Sequence, residues 1–431
     1  MPVLKELLEN SKDGEWGKPE PFDDSVEMSV IRGTDFESSR IGDVGGVPER
    51  CIAKRHHDRK VLKPWDILLE TAGGSKNRPT GRTLLVKPSL LRALGKPATC
   101  ASFARFLRID NSKAYPPYVF WLLQHLYRNG ILFKYHTQHT GVARFQYTSF
   151  AENEELILPS VDLQVQIAAI LSTYDDLIEN NTRRIEILEE MARRLYEEWF
   201  VHFRFPGHEA VSFKDSELGR IPEGWEVKSV AESFQMLGGG TPSKKVPEYW
   251  EGGEINWFSP TDLTKSSSAF MEESSNKITE LGLKKSSAKL FPENSVMMTS
   301  RATIGVVAIN TQPATTNQGF ITCLPNDEFP LNLMYHWLKY NVDTFISLGT
   351  GATFKEISKG TFKEIQLAVP PLDVSRAYEE AVRSMMRQVL LLQRKNTNLR
   401  AQRDLLLPKL VSGEINVSDI PMPDDKEVEA A

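Results

Sequence analysis

Cysteine, long apolar runs and catalytic spacings are all scarce in this chain. Its three cysteines, Cys51, Cys100 and Cys323, lie far apart with no C-x-x-C pair. That pattern argues against a disulfide framework and against a cysteine zinc site, and reads them as packing thiols. No uncharged stretch approaches the ~20 apolar residues that cross a bilayer. The opening MPVLKELLEN lacks the apolar core of a secretory signal, so the expected location is the cytoplasm. Gly238-Gly239-Gly240-Thr241-Pro242-Ser243-Lys244-Lys245 is glycine-rich but does not have the G-x-x-x-x-G-K-[ST] spacing of a phosphate loop. It reads as a flexible loop. His136 and His139 have no carboxylate or cysteine beside them, so no metal site is expected. No catalytic constellation is found.

What is present is ordinary globular text: 431 residues, 40% hydrophobic and 25% charged. At roughly 150 residues per domain this implies two or three domains. The formal charge of -5 is unevenly spread. Residues 414–431 carry six acids against Lys426, whereas residues 50–108 carry fourteen Lys and Arg against Asp58, Asp66 and Glu70, a net of +11. A block of that sign either marks a polyanion-binding face or is neutralised by acids elsewhere in the fold.

Short matches recur in the same order in the two halves. Gly33-Thr34-Asp35-Phe36 answers Pro260-Thr261-Asp262-Leu263, and Pro97-Ala98-Thr99 answers Pro313-Ala314-Thr315. Phe120-Trp121-Leu122 answers His336-Trp337-Leu338, and Thr140-Gly141 answers Thr350-Gly351. Leu158-Pro159 with Asp162 answers Val369-Pro370 with Asp373. Matches in this order imply a duplication.

Each copy ends in a segment with helical periodicity. Steps of four and three residues trace Ile167, Leu171, Tyr174, Ile178, Asn181, Ile185, Leu188, Ala192, Leu195 and Trp199. The same walk in the second copy gives Tyr378, Val382, Met385, Val389, Leu392, Asn396, Leu399, Arg403, Leu406 and Leu410. A helix of ~38 residues would be roughly 57 Å long, too long for one small domain to cover. The two helices are therefore expected to pack on each other as an antiparallel coiled coil, with Asn181 facing Asn396. The expected class is α/β: two similar mixed α/β heads separated by two long antiparallel helices, a pseudo-twofold repeat. Its segments are a first head at 1–157, a helix at 158–206, a second head at 207–368, a second helix at 369–417 and an acidic tail at 418–431.

These residues resemble the specificity subunit of a type I restriction-modification enzyme over nearly the whole chain. The most specific parts are Leu158-Pro159-Ser160-Val161-Asp162-Leu163-Gln164 leading into Ile167-Ala168-Ala169-Ile170-Leu171, and Asp175-Asp176-Leu177-Ile178-Glu179-Asn180-Asn181. Ile221-Pro222-Glu223-Gly224-Trp225 resembles the start of a target recognition domain, and Thr316-Asn317-Gln318-Gly319-Phe320 its middle. Leu405-Leu406-Leu407-Pro408-Lys409-Leu410 with Ser412-Gly413-Glu414 resembles the family's C-terminal close. The family's usual Glu-Gln after the proline motif appears as Leu163-Gln164 and Val374-Ser375.

The resemblance implies a non-catalytic subunit whose two heads each read half of a split, asymmetric DNA target. It further implies two modification subunits docked on the helices, carrying S-adenosylmethionine, and restriction subunits that join to cleave. No cofactor is expected on this chain itself. The competing reading is a coiled-coil scaffold that does not bind DNA. Tyr115-Pro116-Pro117-Tyr118 is similar to an adenine methyltransferase motif, but Tyr115 replaces its amide or carboxylate and the segment reads as a helix start.

Candidate phosphate contacts are Lys54, Arg55, Arg59 and Lys60, with Lys76 beside them in the same basic block and Lys244 and Lys245 in the second head. The alternative for the Lys54–Lys60 run is a solvated loop. Arg to guanine and Asn or Gln to adenine are the favoured base pairings, so Arg78, Arg82, Arg301, Asn317 and Gln318 are candidate base readers. Asn317 and Gln318 have an equal alternative, in which their amides tie down the loop backbone.

Overall fold

The computed structural model describes residues 1–73, 78–138, 142–266, 268–351 and 354–418. Lys76, His139, Thr140-Gly141 and the acidic tail beyond 418 lie outside them. Two compact units are present, Met1–Arg183 with Lys395–Ala431, and Arg184–Arg394. The division falls inside both long helices rather than where the turn-rich text ends, because each helix half packs on a head.

In the first unit a four-stranded antiparallel sheet runs in the order Leu8–Asp13, Ala104–Ile109, Ile67–Glu70, Thr83–Leu85. A three-stranded sheet runs Glu49–Ala53, Ser25–Ile31, Ala98–Cys100, with the last pair parallel. Side chains alternate across a strand. Ile67 and Leu69 enter one core with the helix Pro116–Arg128, while Leu68 enters another with Phe36, Leu84 and Phe106. Both faces of this strand are covered, which is why Ile67-Leu68-Leu69 reads as a continuous apolar run.

The second unit repeats this order strand for strand. Its main sheet runs Gln235–Gly238, Phe320–Leu324, Val296–Thr299, Val307–Asn310, and adds a parallel edge pair, Phe270–Met271. Its smaller sheet runs Asn276–Ile278, Ile255–Phe258, Ala314–Thr316, again with the last pair parallel. Val296, Met298 and Ile321 pack on Leu333, Met334 and Trp337 of the helix Leu331–Tyr340. The repeated Thr-Asp pairs serve one purpose in both: Asp35 accepts from Arg32 N at 2.8 Å and Asp262 from Ser259 N at 2.7 Å, each closing a turn. The mixed α/β class is therefore present in each unit.

The first long helix spans Val161–Tyr196 and ends in a wider turn at Glu197–Val201, while the second spans Leu372–Val411 with Pro408 in its last turn. Their halves run antiparallel within each unit. In the first unit Asn181 donates to Asn396 at 2.9 Å, and Ile167, Leu171, Leu407 and Leu410 share one core. In the second unit Ala192, Tyr196, Tyr378, Val382, Met386 and Val389 join the head's core.

The strict walk of four and three is corrected at four positions. Tyr174, Leu195, Met385 and Leu406 are only half-buried, and their neighbours Asp175, Tyr196, Met386 and Leu407 are buried instead. A straight helix turns once per 3.6 residues, so a 3.5-residue walk drifts by about 20° per heptad. Packing against a head, rather than along one seam, lets that drift stand. Ile167, Leu171, Ile178, Asn181, Val382, Val389, Leu392, Asn396 and Leu399 are buried as the walk places them, and Ile185 and Leu188 are half-buried against the second unit's core. Cys51, Cys100 and Cys323 are free and buried, and burial pushes the Cys100 thiol up to about 12.

Candidate nucleic-acid interface

In the second unit three loops meet at one end of the main sheet. The turn after Gln235–Gly238 approaches the chain so closely that a Cβ at Gly239 would stand 2.0 Å from the Asn317 carbonyl oxygen. Gly240 N donates to the Thr316 carbonyl at 2.9 Å. The glycines therefore serve backbone contact, and the flexible-loop reading of this segment is corrected. Beyond them Lys244 and Lys245 stand exposed in a turn.

The connection Asn317–Gly319 is fastened by Ser300 N donating to the Gly319 carbonyl at 2.8 Å, which brings Arg301 beside it. Ala302, next in sequence, has φ 64°, a left-handed conformation that costs an L-residue roughly 1 kcal/mol. It is held by its N–H donating to the Lys355 carbonyl at 2.9 Å. Arg301 has a half-exposed side chain 3.7 Å from Glu356. Asn317 Oδ1 accepts from Gly319 N at 2.9 Å, so that side chain ties down its own loop. Gln318 is exposed, and its Oε1 accepts from Thr241 Oγ1 at 2.7 Å. The fold thus brings Arg301, Asn317 and Gln318 together, with Lys244 and Lys245 a few residues beyond Thr241. Lys359, whose side chain lies over Gly238, was not singled out from the sequence.

The first unit builds the same junction from different side chains. Gly14 N donates to the Ala104 carbonyl and Glu15 N to the Cys100 carbonyl, while Thr71 N donates to the Phe103 carbonyl at 2.9 Å. Beside it lies a groove of about 730 Å³ lined by Thr71, Ser102, Phe103, Arg105, Arg144 and Tyr147. Arg144 is exposed, and Arg105 stacks 4.1 Å from the Tyr147 ring centre while donating to Asp13. Phe103 and Arg144 were missed by sequence reasoning. The offset that pairs Pro97-Ala98-Thr99 with Pro313-Ala314-Thr315 could have found Phe103, since it sets Ala101-Ser102-Phe103 against Asn317-Gln318-Gly319.

The basic block of residues 50–108 does not form one uncompensated face. Arg82 is buried against Glu70, donating from Nε at 2.9 Å, and also donates to the Gly33 carbonyl, so its candidacy as a base reader is corrected. Lys60 pairs with Glu15, Lys87 with Asp176 and Glu179, Lys96 with Glu27 and Glu49, Arg105 with Asp13, and Arg108 with Asp66. Lys60, whose Nζ also donates to the Gly14 carbonyl, is likewise engaged within the fold. Lys54, Arg55 and Arg59 are exposed on a short helix, Lys54–Lys60, not on a loop, and do not line the groove. Arg78 is exposed.

Two further arrangements bear on the helices. Gln164 is buried, accepting from Tyr115 N at 2.8 Å and so closing the start of the helix Pro116–Arg128. Glu379 does the same for Asn332 N at 2.9 Å in the second unit. By contrast Ile187 and Met191 stand about half exposed, flanked by Glu186, Glu190 and Arg194. Among the described residues no group of three or more His, Cys, Asp or Glu could hold a metal ion, and no helix is long and apolar enough to cross a membrane.

Comparison with known proteins gives a consistent result. Residues 222–396 match the family described as the type I restriction modification DNA specificity domain. The chain is 37% identical over 160 residues to the type I restriction enzyme MjaIX specificity subunit of Methanocaldococcus jannaschii, a match spanning 37% of each chain. It is 26% identical over 318 residues to the type I restriction enzyme HindI specificity subunit of Haemophilus influenzae, covering 60% of this chain and 69% of that one. Among solved structures, the S subunit of a type I restriction-modification system from M. genitalium aligns with a TM-score of 0.57 at 16% identity, over 95% of this chain and 94% of that one. At that identity the likeness speaks for the fold.

Proposed function

We propose that the chain is a type I restriction-modification specificity subunit, the non-catalytic component that gives such an enzyme its DNA sequence specificity. Each head reads one half of a split, asymmetric target. The observation that carries this reading is the repeated strand order with unlike side chains at the same loop junction: Arg301 and Gln318 in one unit, Phe103 and Arg144 in the other. A repeated scaffold with divergent loops suits recognition of two different half-sites, since base edges are read by side chains and the scaffold only positions them.

Two modification subunits would dock on the helices, bringing S-adenosylmethionine for methylation of adenine, and restriction subunits would complete the assembly in the cytoplasm. The half-exposed Ile187 and Met191 on the first long helix support a protein partner there. Exposed Lys54, Arg55, Arg59, Arg78, Lys244 and Lys245 are available for phosphate contacts.

The test is co-expression with a candidate modification subunit and selection of bound duplexes from a random DNA library at moderate salt. Enrichment of a split motif is expected. An unenriched pool from an intact complex would overturn the reading in favour of a scaffold that does not bind DNA.

A further inference from the structure

The two units differ most sharply at one three-residue connection. Ala101-Ser102-Phe103 and Asn317-Gln318-Gly319 occupy the same place in the repeated fold. Ala101 N donates to the Ile31 carbonyl at 2.9 Å as Asn317 N donates to the Phe258 carbonyl at 3.0 Å. Thr71 N donates to the Phe103 carbonyl as Ser300 N donates to the Gly319 carbonyl. The backbone is shared, but the chemistry is not. Gln318 offers an amide, with a donor and an acceptor, whereas the first unit offers a phenyl ring that is 59% exposed and belongs to none of the apolar cores.

That exposure has no packing rationale, because a phenylalanine ring gains stability only where it is buried. Its surroundings point to a ligand. Val142, also 57% exposed, and Arg144 line the same groove, and Arg105 lies at its side on the Tyr147 ring. The groove therefore combines an apolar patch with the exposed Arg144, while Arg105 is held by Asp13, which also lines it. In a DNA major groove the matching surface is a thymine: its C5-methyl is the apolar group a base pair displays there, and phosphates lie to either side. The second unit has no such ring, and at Gly319 a Cβ would stand 3.1 Å from Asn317 Oδ1 and 3.3 Å from Pro260, so a side chain there would require those neighbours to shift.

We propose that Phe103 reads the methyl group of a thymine in the half-site bound by the first unit, so that this unit selects its base by apolar contact where the second presents an amide. This rests on the DNA-reading function proposed above.

The experiment uses the full chain in complex with its modification subunit and a duplex carrying the selected split motif. Each thymine of the two half-sites is replaced in turn by deoxyuridine, which removes only the methyl. One replacement, in one half-site, is expected to weaken binding about three- to fivefold. Phe103→Ala should weaken binding to the unmodified duplex by a similar factor. The two changes together should cost no more than either alone, the signature of a shared contact. The unfolding midpoint of the variant should stay at the wild-type value, because the ring is exposed. Phe103→Leu should restore part of the discrimination.

A half-site without thymine, indifference to every deoxyuridine, or simple addition of the two losses would each overturn the role of Phe103 while leaving DNA reading intact. A Phe103→Ala chain that keeps its base selectivity but no longer holds the modification subunit would also overturn it, by giving the ring to a protein partner. If no split motif is enriched from an intact complex, DNA reading fails and this assignment falls with it.

Discussion

Asn181 donates to the Asn396 side-chain oxygen at 2.9 Å where the two long helices meet in the first unit, and Asn396 returns a 3.3 Å contact to Thr182 Oγ1. Both amides are buried. A buried amide pair of this kind specifies helix register at some expense of stability, because each polar group must be desolvated and then satisfied by one partner. Replacing both by leucine should stabilise the first unit by about 1–2 kcal/mol in urea unfolding, whereas Asn181→Leu alone should destabilise it by a similar amount, by removing the donor to the buried Asn396 oxygen. A double variant that lost several kcal/mol would contradict this role.

Two turns away Asp175 lies buried between Arg40, which donates from Nε at 2.8 Å, and Arg403. Burial alone would push this carboxyl up, but the two guanidinium groups hold it below its ordinary value of 3.8. Asp175→Asn leaves Arg40 without its anion and Arg403 with Asp404 alone, and should cost about 3–5 kcal/mol. Because the folded value is lowered, the stabilising contribution is present at neutral pH and disappears only as the pH falls below the ordinary carboxylate range. Urea titrations of wild type and variant should therefore converge in acid and differ at pH 7.

His336 supplies a pH response of opposite origin. It is buried in the second unit, donating from Nδ1 to the Asn332 carbonyl at 2.8 Å with the Tyr378 hydroxyl 3.1 Å away. Burial pushes its value down from 6.5 to about 4. Between those values the unfolded chain binds a proton that the folded chain does not, so stability should fall as the pH drops from about 6.5 toward 4, by roughly 3 kcal/mol in all. His336→Gln should flatten that slope. An unchanged slope in the variant would assign the acid response to other groups.

Arg82 separates a structural cation from a reading one. Its guanidinium is buried against Glu70, so Arg82→Ala should cost about 3 kcal/mol or more of stability, by leaving Glu70 buried and unpaired. The bases selected from a random library should be unchanged. A shift in base preference without loss of stability would restore Arg82 to the reading surface.

Lys244 and Lys245 are exposed in a turn a few residues beyond Thr241, whose hydroxyl donates to Gln318. Substituting both by alanine should weaken binding to all sequences alike. The slope of log K against log salt should become shallower by roughly one to two, with the selected motif retained. A change of motif with an unchanged slope would make them base readers.

The division of labour between sequence and tertiary structure follows from the range of the forces involved. Periodicity, turn residues and the internal repeat are local properties, so the two long helices, the mixed strands and the pairing of Asn181 with Asn396 could be read from the chain alone. The exact seam could not: whether Tyr174 or Asp175 turns inward depends on what each helix half packs against, and the head imposes a 3.6-residue period where a coiled coil would impose 3.5. Charge behaves in the same way. Residues 50–108 carry a net of +11 in the sequence, yet Lys87 finds Asp176 and Glu179, Arg108 finds Asp66 and Arg82 finds Glu70, because ion pairing is settled by proximity in space rather than along the chain. Phe103 is the converse case. Its residue type suggests a core position, and only the fold, which carries it on a short connection fastened by Thr71, turns the ring outward beside Arg144.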